Sequence, residues 1–581
     1  MNFSVVMKEA SPNVSVSLTE HTREDGVTLV DVDVTYAEPQ VPNPFSVCFE
    51  VPCVDMYSTW GAHLGFQRTL NPAWSKTVSK SRLASGAPLH QTISSDDQNG
   101  ITIALSDAMT PIDIATGVSE ETANLRCEVR FFTMPINTLE SYHATIYIDR
   151  IRRPYGDSLK AAERYWAEEC GYPCAYIPDA ARRPMYSCWY SFHQNIDVEA
   201  ILAQCRMAKD LGMESVIVDD GWQVANGERG YAFCGDWEVI PSKVPDMKDF
   251  VDRVHALGMK FILWYSVPHA GKYSKAIKRF EDMLLGYPPK HRSYACLDPR
   301  FPEVREYLIN IYRDAVKNWG LDGLKLDFID SFKIYPDTPE FDERWDTRSV
   351  EEAVDLLLRE TTDALRAINP DILIEFRQSY FGPTIRKYGN MIRVRDCPND
   401  SFMNHVFGTD LRFTLGTTPA HSDMLMWHPE DPVEAAAYQL ICVLFTVPQI
   451  SVRLETISED QKKMLRFYLD FWNENRRVLL DGDFSAENPE SLYSLVKSEK
   501  DGHIIAVAHA KPILTVGEVK RVHFVNGSNE KALVLRATAD LGERTFRILD
   551  CMGNLLEEGV CQFSKGLHEF SVPRCGIVEI I

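Results

Sequence analysis

The sequence predicts three domains in series: an N-terminal β-sandwich, a central (β/α)8 barrel and a C-terminal antiparallel β-sandwich. Two changes of rhythm carry the prediction. Residues 1 to about 150 alternate apolar and polar positions in short runs divided by Asn, Pro and Gly, as sheets with one buried face do. From about Pro184 short apolar strands instead alternate with helical stretches, the pattern of parallel βα units. Alternation returns from about Leu492. The expected boundaries are 1–165 (the sandwich with a linker helix), 166–485 (the barrel) and 486–581.

In the first domain, Val14-Ser-Val-Ser-Leu, Val27-Thr-Leu-Val-Asp-Val-Asp-Val and Ala144-Thr-Ile-Tyr-Ile read as strands. Ser158 to Glu169 reads as a bridging helix. The barrel strands are expected at Ser187-Cys-Trp-Tyr-Ser, Ser215-Val-Ile-Val-Asp, Lys260-Phe-Ile-Leu-Trp, Gly323-Leu-Lys-Leu-Asp, Asp371-Ile-Leu-Ile-Glu-Phe, Met391-Ile-Arg-Val-Arg, Thr414-Leu-Gly-Thr-Thr and Leu444-Phe-Thr-Val-Pro. Helices are expected near Val198–Gly212, Met247–Gly258, Pro302–Trp319 and Val350–Ile368. No Gly-rich dinucleotide or phosphate loop follows any strand, which argues against an open doubly wound sheet. The last domain shows strands at Gly502-His-Ile-Ile-Ala-Val-Ala, Lys520-Arg-Val-His-Phe-Val, Thr545-Phe-Arg-Ile-Leu and Gly576-Ile-Val-Glu-Ile-Ile.

Composition narrows the function. Of 581 residues, 61 are Lys or Arg and 83 Asp or Glu, a net charge of −22, and no basic cluster offsets it, so no nucleic-acid partner is expected. No apolar run is long enough to span a membrane. The first residues lack a basic region followed by an apolar stretch, so no signal peptide is expected. The 14 cysteines are scattered, and free thiols in a reducing cytoplasm are the expected state.

In a (β/α)8 barrel the site is built at the C-terminal ends of the strands. Those ends carry Trp189 and Tyr190; Asp219, Asp220 and Trp222; Trp264; Lys325 and Asp327; Glu375 and Arg377; Arg393, Arg395 and Asp396. The loop expected after strand seven adds His421 and Asp423. Lys325 and Asp327 are two apart in a strand and so share a face. Two such charges inside a barrel are costly unless they serve a site. Carboxylates and indoles together suit a sugar, whose hydroxyls bond to acids and whose apolar ring face covers an aromatic one. Paired carboxyl groups are what cleavage of a glycosidic bond needs. A Mg²⁺ site at Asp219, Asp220 and Asp327 is the alternative, which the Lys325 charge opposes.

The segments Cys188-Trp-Tyr, Val218-Asp-Asp-Gly-Trp-Gln, Leu297-Asp-Pro-Arg with Pro302-Glu-Val-Arg, Gly323-Leu-Lys-Leu-Asp and Arg393-Val-Arg-Asp resemble those of the retaining α-galactosidases of glycoside hydrolase family 36 in clan D, which includes the raffinose-synthase-like enzymes. The domain order is similar too. The resemblance implies Asp327 as nucleophile and Asp396 as acid/base, with Asp400 as the rival acid. It implies Asp219, Asp220, Lys325 and Arg393 at the sugar hydroxyls and Trp264 on the ring's apolar face. Glu375, Asp423 and Trp189 are further substrate-binding candidates, and Trp60 is one residue of the first domain able to reach over the site. The implied substrate is a small α-galactoside, cleaved at its terminal galactose without cofactor or metal. Other activities on this scaffold are α-N-acetylgalactosaminidase, β-L-arabinopyranosidase, galactosyl transfer, or sugar binding without catalysis. In place of the Cys-Ser-Gly-Gly-Gly run frequent in the family after strand five, the chain has Glu375-Phe-Arg-Gln-Ser-Tyr-Phe-Gly.

Overall fold

The computed structural model describes residues 1–7, 13–227, 229–289 and 292–581. The first domain pairs a five-stranded with a six-stranded sheet, antiparallel throughout. Its strand Thr28–Gln40 shows why: Val30, Val32 and Val34 are buried while Asp31, Asp33 and Thr35 are not. They pack against Phe45, Val47 and Phe49 of the facing sheet. The bridging helix runs from Tyr155 to Glu168, starting three residues earlier than expected because Tyr155 is anchored, its hydroxyl donating to the Ala486 carbonyl at 2.9 Å.

Eight parallel strands close the barrel: β1 (Met185–Ser187), β2 (Ser215–Val218), β3 (Lys260–Ser266), β4 (Gly323–Asp327), β5 (Leu373–Arg377), β6 (Met391–Arg393), β7 (Ala420–Leu425) and β8 (Val447–Ile450). Three differ from expectation. β1 ends at Ser187, and Trp189 opens a helical turn, Trp189–Phe192. β7 is Ala420–Leu425, not Thr414–Thr418, so His421 and Asp423 lie inside the strand and not in a loop after it. β8 begins at Val447, three residues later than expected. Between β3 and β4 stands a small sheet of His269–Gly271, Leu284–Gly286 and Tyr294–Leu297. The expected helices appear as Val198–Asp210, Met247–Ala256, Pro302–Trp319 and Val350–Arg366.

A long helix, Glu459–Asp481, leads out of the barrel, opened by a capping box in which Ser458 and Gln461 bond reciprocally. The last domain has a seven-stranded and a three-stranded sheet. Most pairs are antiparallel. Two are parallel: His503–Ala508 with Arg521–Asn526, and Ile513–Val516 with Ala532–Ala537.

Candidate functional site

β4 delivers Lys325 and Asp327 to the barrel interior on the face that the two-residue period requires, and both are almost fully buried. Asp327 is the most heavily bonded carboxylate at the strand ends. Trp264 Nε1 of β3 donates to its Oδ2 at 3.0 Å. Oδ1 accepts from Arg377 Nε, the Tyr380 hydroxyl and the Phe328 backbone N–H, each at 2.7 Å. Burial would raise the pKa of this carboxyl, but the charges of Arg377 and Lys325, with the Trp264 and Tyr380 hydrogen bonds, overcome it and hold the value far below the usual range. It is an ionised, fully oriented carboxylate. Phe328, the next residue, takes a left-handed backbone conformation (φ 66°), which turns the chain sharply and brings its own N–H back onto Asp327.

Lys325 does not pair with Asp327 directly. Its Nζ meets Asp219 Oδ2 at 2.5 Å, both side chains 4% exposed. Its effect on Asp327 is through space, and Arg377 is the direct partner.

The Asp-Asp-Gly-Trp segment after β2 is explained by its packing. Gly221 has φ 127°, and a Cβ there would lie 2.6 Å from the Gln194 backbone. A side chain has no room. Trp222 is buried and donates through Nε1 to the Trp264 carbonyl at 3.0 Å, supporting the Trp264 strand from behind. Asp220 accepts from Gln194 Nε2 at 2.6 Å and Gln223 Nε2 at 2.7 Å. Burial raises its pKa to about 7 against the pull of those bonds.

Trp189, Asp219, Asp220, Trp264, Lys325 and Asp327 line one narrow cavity with Arg393 and Asp396. Eight of the ten candidate site residues thus meet on one wall. Glu375 and Asp423 do not. Glu375 is fully buried, hydrogen-bonded by Gln449 and 3.6 Å from Arg393. Asp423 is fully buried too, bonded by Arg393, by the Tyr190 hydroxyl at 2.8 Å and by the Cys397 N–H at 2.6 Å. Both stand behind the cavity and fix Arg393, which in turn donates to Asp396 Oδ1 at 2.8 Å. His421 is also buried, within reach of the Ala181 carbonyl at 2.8 Å.

Two wall residues escaped the sequence reading, Tyr231 and Phe328. Their rings meet edge to face at 4.9 Å, and Tyr231 stacks 6.3 Å from Trp264. Tyr380, a bonding partner of Asp327, was missed as well. Tyr231 and Tyr380 lie in irregular segments where no periodicity marks them. Phe328 continues the apolar alternation of Leu324 and Leu326, which sets it on the face away from the site. The position of Tyr380 inside the unusual Glu375–Gly382 segment was the one available sign. Asp298 and Arg300 of the Leu-Asp-Pro-Arg motif pair with each other, buried, with Arg300 over the Trp345 ring at 3.5 Å, so that motif shapes a loop.

A second cavity adjoins the first at Asp396, lined also by Asp330, Arg377, Ser379, Arg395, Phe407 and His63 of the first domain. Trp60 does not reach either cavity. It is buried, and its Nε1 donates to Asp410 Oδ1 at 3.1 Å and the Tyr493 hydroxyl at 2.8 Å. Asp400 lies off both walls and caps the helix Ser401–Arg412, accepting from the Met403 N–H at 2.9 Å. Among the described residues no group of three or more His, Cys, Asp or Glu side chains is placed to hold a metal ion, and no helix is long and apolar enough to cross a membrane.

The family model described as Melibiase matches residues 178–480, just over half of the chain. The chain belongs to the Melibiase family. Among curated Melibiase-like relatives, the chain is 23% identical over 350 residues to alpha-galactosidase AgaA of Geobacillus stearothermophilus, covering 56% of this chain and 46% of that protein. It is 30% identical over 157 residues to alpha-galactosidase Mel36A of Lactobacillus acidophilus, covering 26% and 20%. The matches thus span less than half the length of these two relatives. The whole fold is similar to GH36 alpha-galactosidase AgaA of Geobacillus stearothermophilus solved with 1-deoxygalactonojirimycin (TM-score 0.62, 13% identity, 100% of this chain and 86% of that one). It is similar also to the galactosidase domain of the alpha-galactosidase-sucrose kinase AgaSK (TM-score 0.64, 12% identity, 100% and 85%). These agree with the resemblance read from the motifs and with the three-part β-sandwich, barrel, β-domain architecture.

Proposed function

We propose that this Melibiase-family chain is a glycoside hydrolase, a retaining exo-α-galactosidase that removes terminal α-galactosyl residues from small oligosaccharides by double displacement. The observation that carries the reading is the pairing of unlike carboxyl groups on one cavity: Asp327, buried and held ionised, and Asp396, half exposed where the two cavities join. Asp327 attacks the anomeric carbon. Asp396 protonates the departing oxygen, then takes a proton from the water that releases the sugar. Asp219, Asp220, Lys325 and Arg393 offer a dense set of acceptors and donors for one glycone, and Trp264 and Trp189 offer apolar faces. The buried Glu375 and Asp423 behind this wall support a blind end, hence attack at a chain terminus. The second cavity has room for the leaving group. The alpha-galactosidase names of the relatives, and 1-deoxygalactonojirimycin bound in a neighbour, support galactose as the glycone.

The partly enclosed second cavity also favours a second reading, transfer of the galactosyl group to an acceptor sugar held there in place of water. The fourteen free thiols support a reducing compartment. The deciding experiment is hydrolysis of nitrophenyl α-galactoside followed by proton NMR. α-Galactose should appear first and β-galactose later by mutarotation. β-Galactose first, or no turnover, would overturn the reading. Asp327→Asn should lower kcat by roughly a thousandfold or more with the fold intact.

A further inference from the structure

The hydrogen bonds on Asp327 are divided unequally between its two oxygens. Oδ1 accepts three, from Arg377 Nε, the Tyr380 hydroxyl and the Phe328 N–H. Oδ2 accepts one, from Trp264 Nε1 at 3.0 Å. Three donors leave Oδ1 no lone pair to spare, so Oδ2 is the atom free to bond to a sugar. The charges are divided as well. Lys325 is taken up by Asp219, which leaves the Arg377 guanidinium, at 2.7 Å, as the cation in direct contact with Asp327 among the described residues. Arg377 and Tyr380 both belong to the Glu375-Phe-Arg-Gln-Ser-Tyr-Phe-Gly segment. A Cys-Ser-Gly-Gly-Gly run in its place would carry no side chain of that length or charge.

An arginine and an aspartate at the ends of the neighbouring strands β4 and β5 could serve only to tie the barrel rim. A tie of that kind is the same throughout a reaction. Double displacement instead takes Asp327 through two states. As a carboxylate it carries the charge that Arg377 holds. As a glycosyl ester it is neutral, and Arg377, its side chain only 16% exposed, is left with a hydrogen bond to an ester carbonyl and no counter-ion. A charge-assisted bond is roughly twice as strong as a neutral one, and a nearly buried cation without its partner is costly. The ester is therefore raised in energy relative to the free enzyme, and its hydrolysis restores the ion pair.

We propose that Arg377, aided by Tyr380, is a positioning residue that keeps the glycosyl-Asp327 ester short-lived, holding Oδ1 while Oδ2 reacts and drawing charge back onto the carboxylate in the second step. This rests on the retaining reading above. In the first step Oδ2 bonds to the anomeric carbon as the bond to the departing oxygen breaks, and that oxygen takes the proton of Asp396. In the second, a water oxygen bonds to the anomeric carbon and its proton passes to Asp396. The electron pair of the Oδ2–carbon bond returns to Asp327. Arg377 and Tyr380 keep their protons throughout.

Rapid mixing with nitrophenyl α-galactoside, whose good leaving group speeds the first step, tests it together with intact-protein mass spectrometry of the quenched enzyme. Wild type should release nitrophenol without a burst and show no hexosyl adduct. Arg377→Met should show a burst near one nitrophenol per active site and a hexosyl adduct. Its kcat should fall roughly tenfold or more, with a smaller fall in kcat/KM, because the second step enters kcat alone. Tyr380→Phe should show the same change to a lesser degree, and Arg377→Lys should lie between wild type and Arg377→Met. A merely structural pair would lower activity and melting temperature with neither burst nor adduct. That result in Arg377→Met, or a wild-type burst as large as the variant's, would overturn the proposal. Should Arg377→Met not fold, Arg377→Lys and Tyr380→Phe carry the test, and wild-type behaviour in both would overturn it. Proton NMR of the first anomer released separates this failure from another: β-galactose first would overturn the retaining reading itself, and the proposal with it.

Discussion

The Asp396 carboxyl sits against Arg393 with about half of its side chain exposed (52%). Burial and the Asp327 charge raise its pKa, yet Arg393, Arg377 and Lys325 outweigh them and leave it below the ordinary value. A proton donor needs the opposite. On the proposed role, the substrate would have to cover Asp396 and strip its water before the first step, and kcat/KM should fall as pH rises from the acid side. If Asp396 supplies the proton, a galactoside with an activated leaving group should recover most of the activity that Asp396→Ala loses on an alkyl galactoside. Asp400→Ala should need no such rescue, and the reverse pattern would exchange their roles. Asp220 offers a separate test by pH. The folded protein holds its proton up to about pH 7, whereas the unfolded chain releases it near the ordinary 3.8. The stability this contributes is therefore complete at low pH and lost as pH rises to about 7. Asp220→Asn cannot lose that proton, so its melting temperature minus that of wild type should increase from pH 4 to 7 and then level off. A flat difference would remove the argument.

The segment from β6 into the Ser401–Arg412 helix positions Asp396. Asp423 holds the Cys397 N–H on one side, and Asp400 caps the helix on the other. Asp400→Ala should cost about 1 kcal/mol through the lost cap, read as a lower denaturant midpoint at unchanged kcat. This region also marks where sequence reading succeeded and where it stopped. β2 to β6 were legible because their apolar runs have no competitor nearby. β7 was not: Ala-His-Ser-Asp-Met-Leu carries His421 and Asp423, which serve hydrogen bonds inside the barrel, so the uncharged and β-branched Thr414–Thr418 looked like the strand. The charges at strand ends were legible as a site because period two fixes their face. Which of them touch was not. Arg377 on Asp327, and Asp423 behind Arg393, depend on register between strands, which a single chain does not reveal. Tyr231 and Tyr380 enter from irregular segments, and no local pattern aims them.

The three sheet systems are tied at one buried point. Arg68 and Trp60 of the first sandwich, Asp410 of the Ser401–Arg412 helix and Tyr493 of the last domain form a single network. Arg68 Nη2 donates to both Asp410 oxygens at 2.8 and 3.0 Å, and the Tyr493 hydroxyl donates to Asp410. Removing the charge of Asp410 leaves a buried guanidinium with no counter-ion. Asp410→Asn should therefore destabilise the protein by roughly 3–5 kcal/mol, whereas Tyr493→Phe should cost roughly 1–3. Equilibrium unfolding of both variants measures the contrast, and equal effects would show that the ion pair is not the core of the tie.

The wall beside Asp396 is shared between two domains: the barrel supplies Arg395 and Phe407, and the first sandwich supplies His63. Evolution can therefore redraw the outer room through substitutions near residue 63, a region free of the constraints that bind Asp327 and its partners. The outer room can thus change shape while Asp327 and the groups that hold it stay as they are.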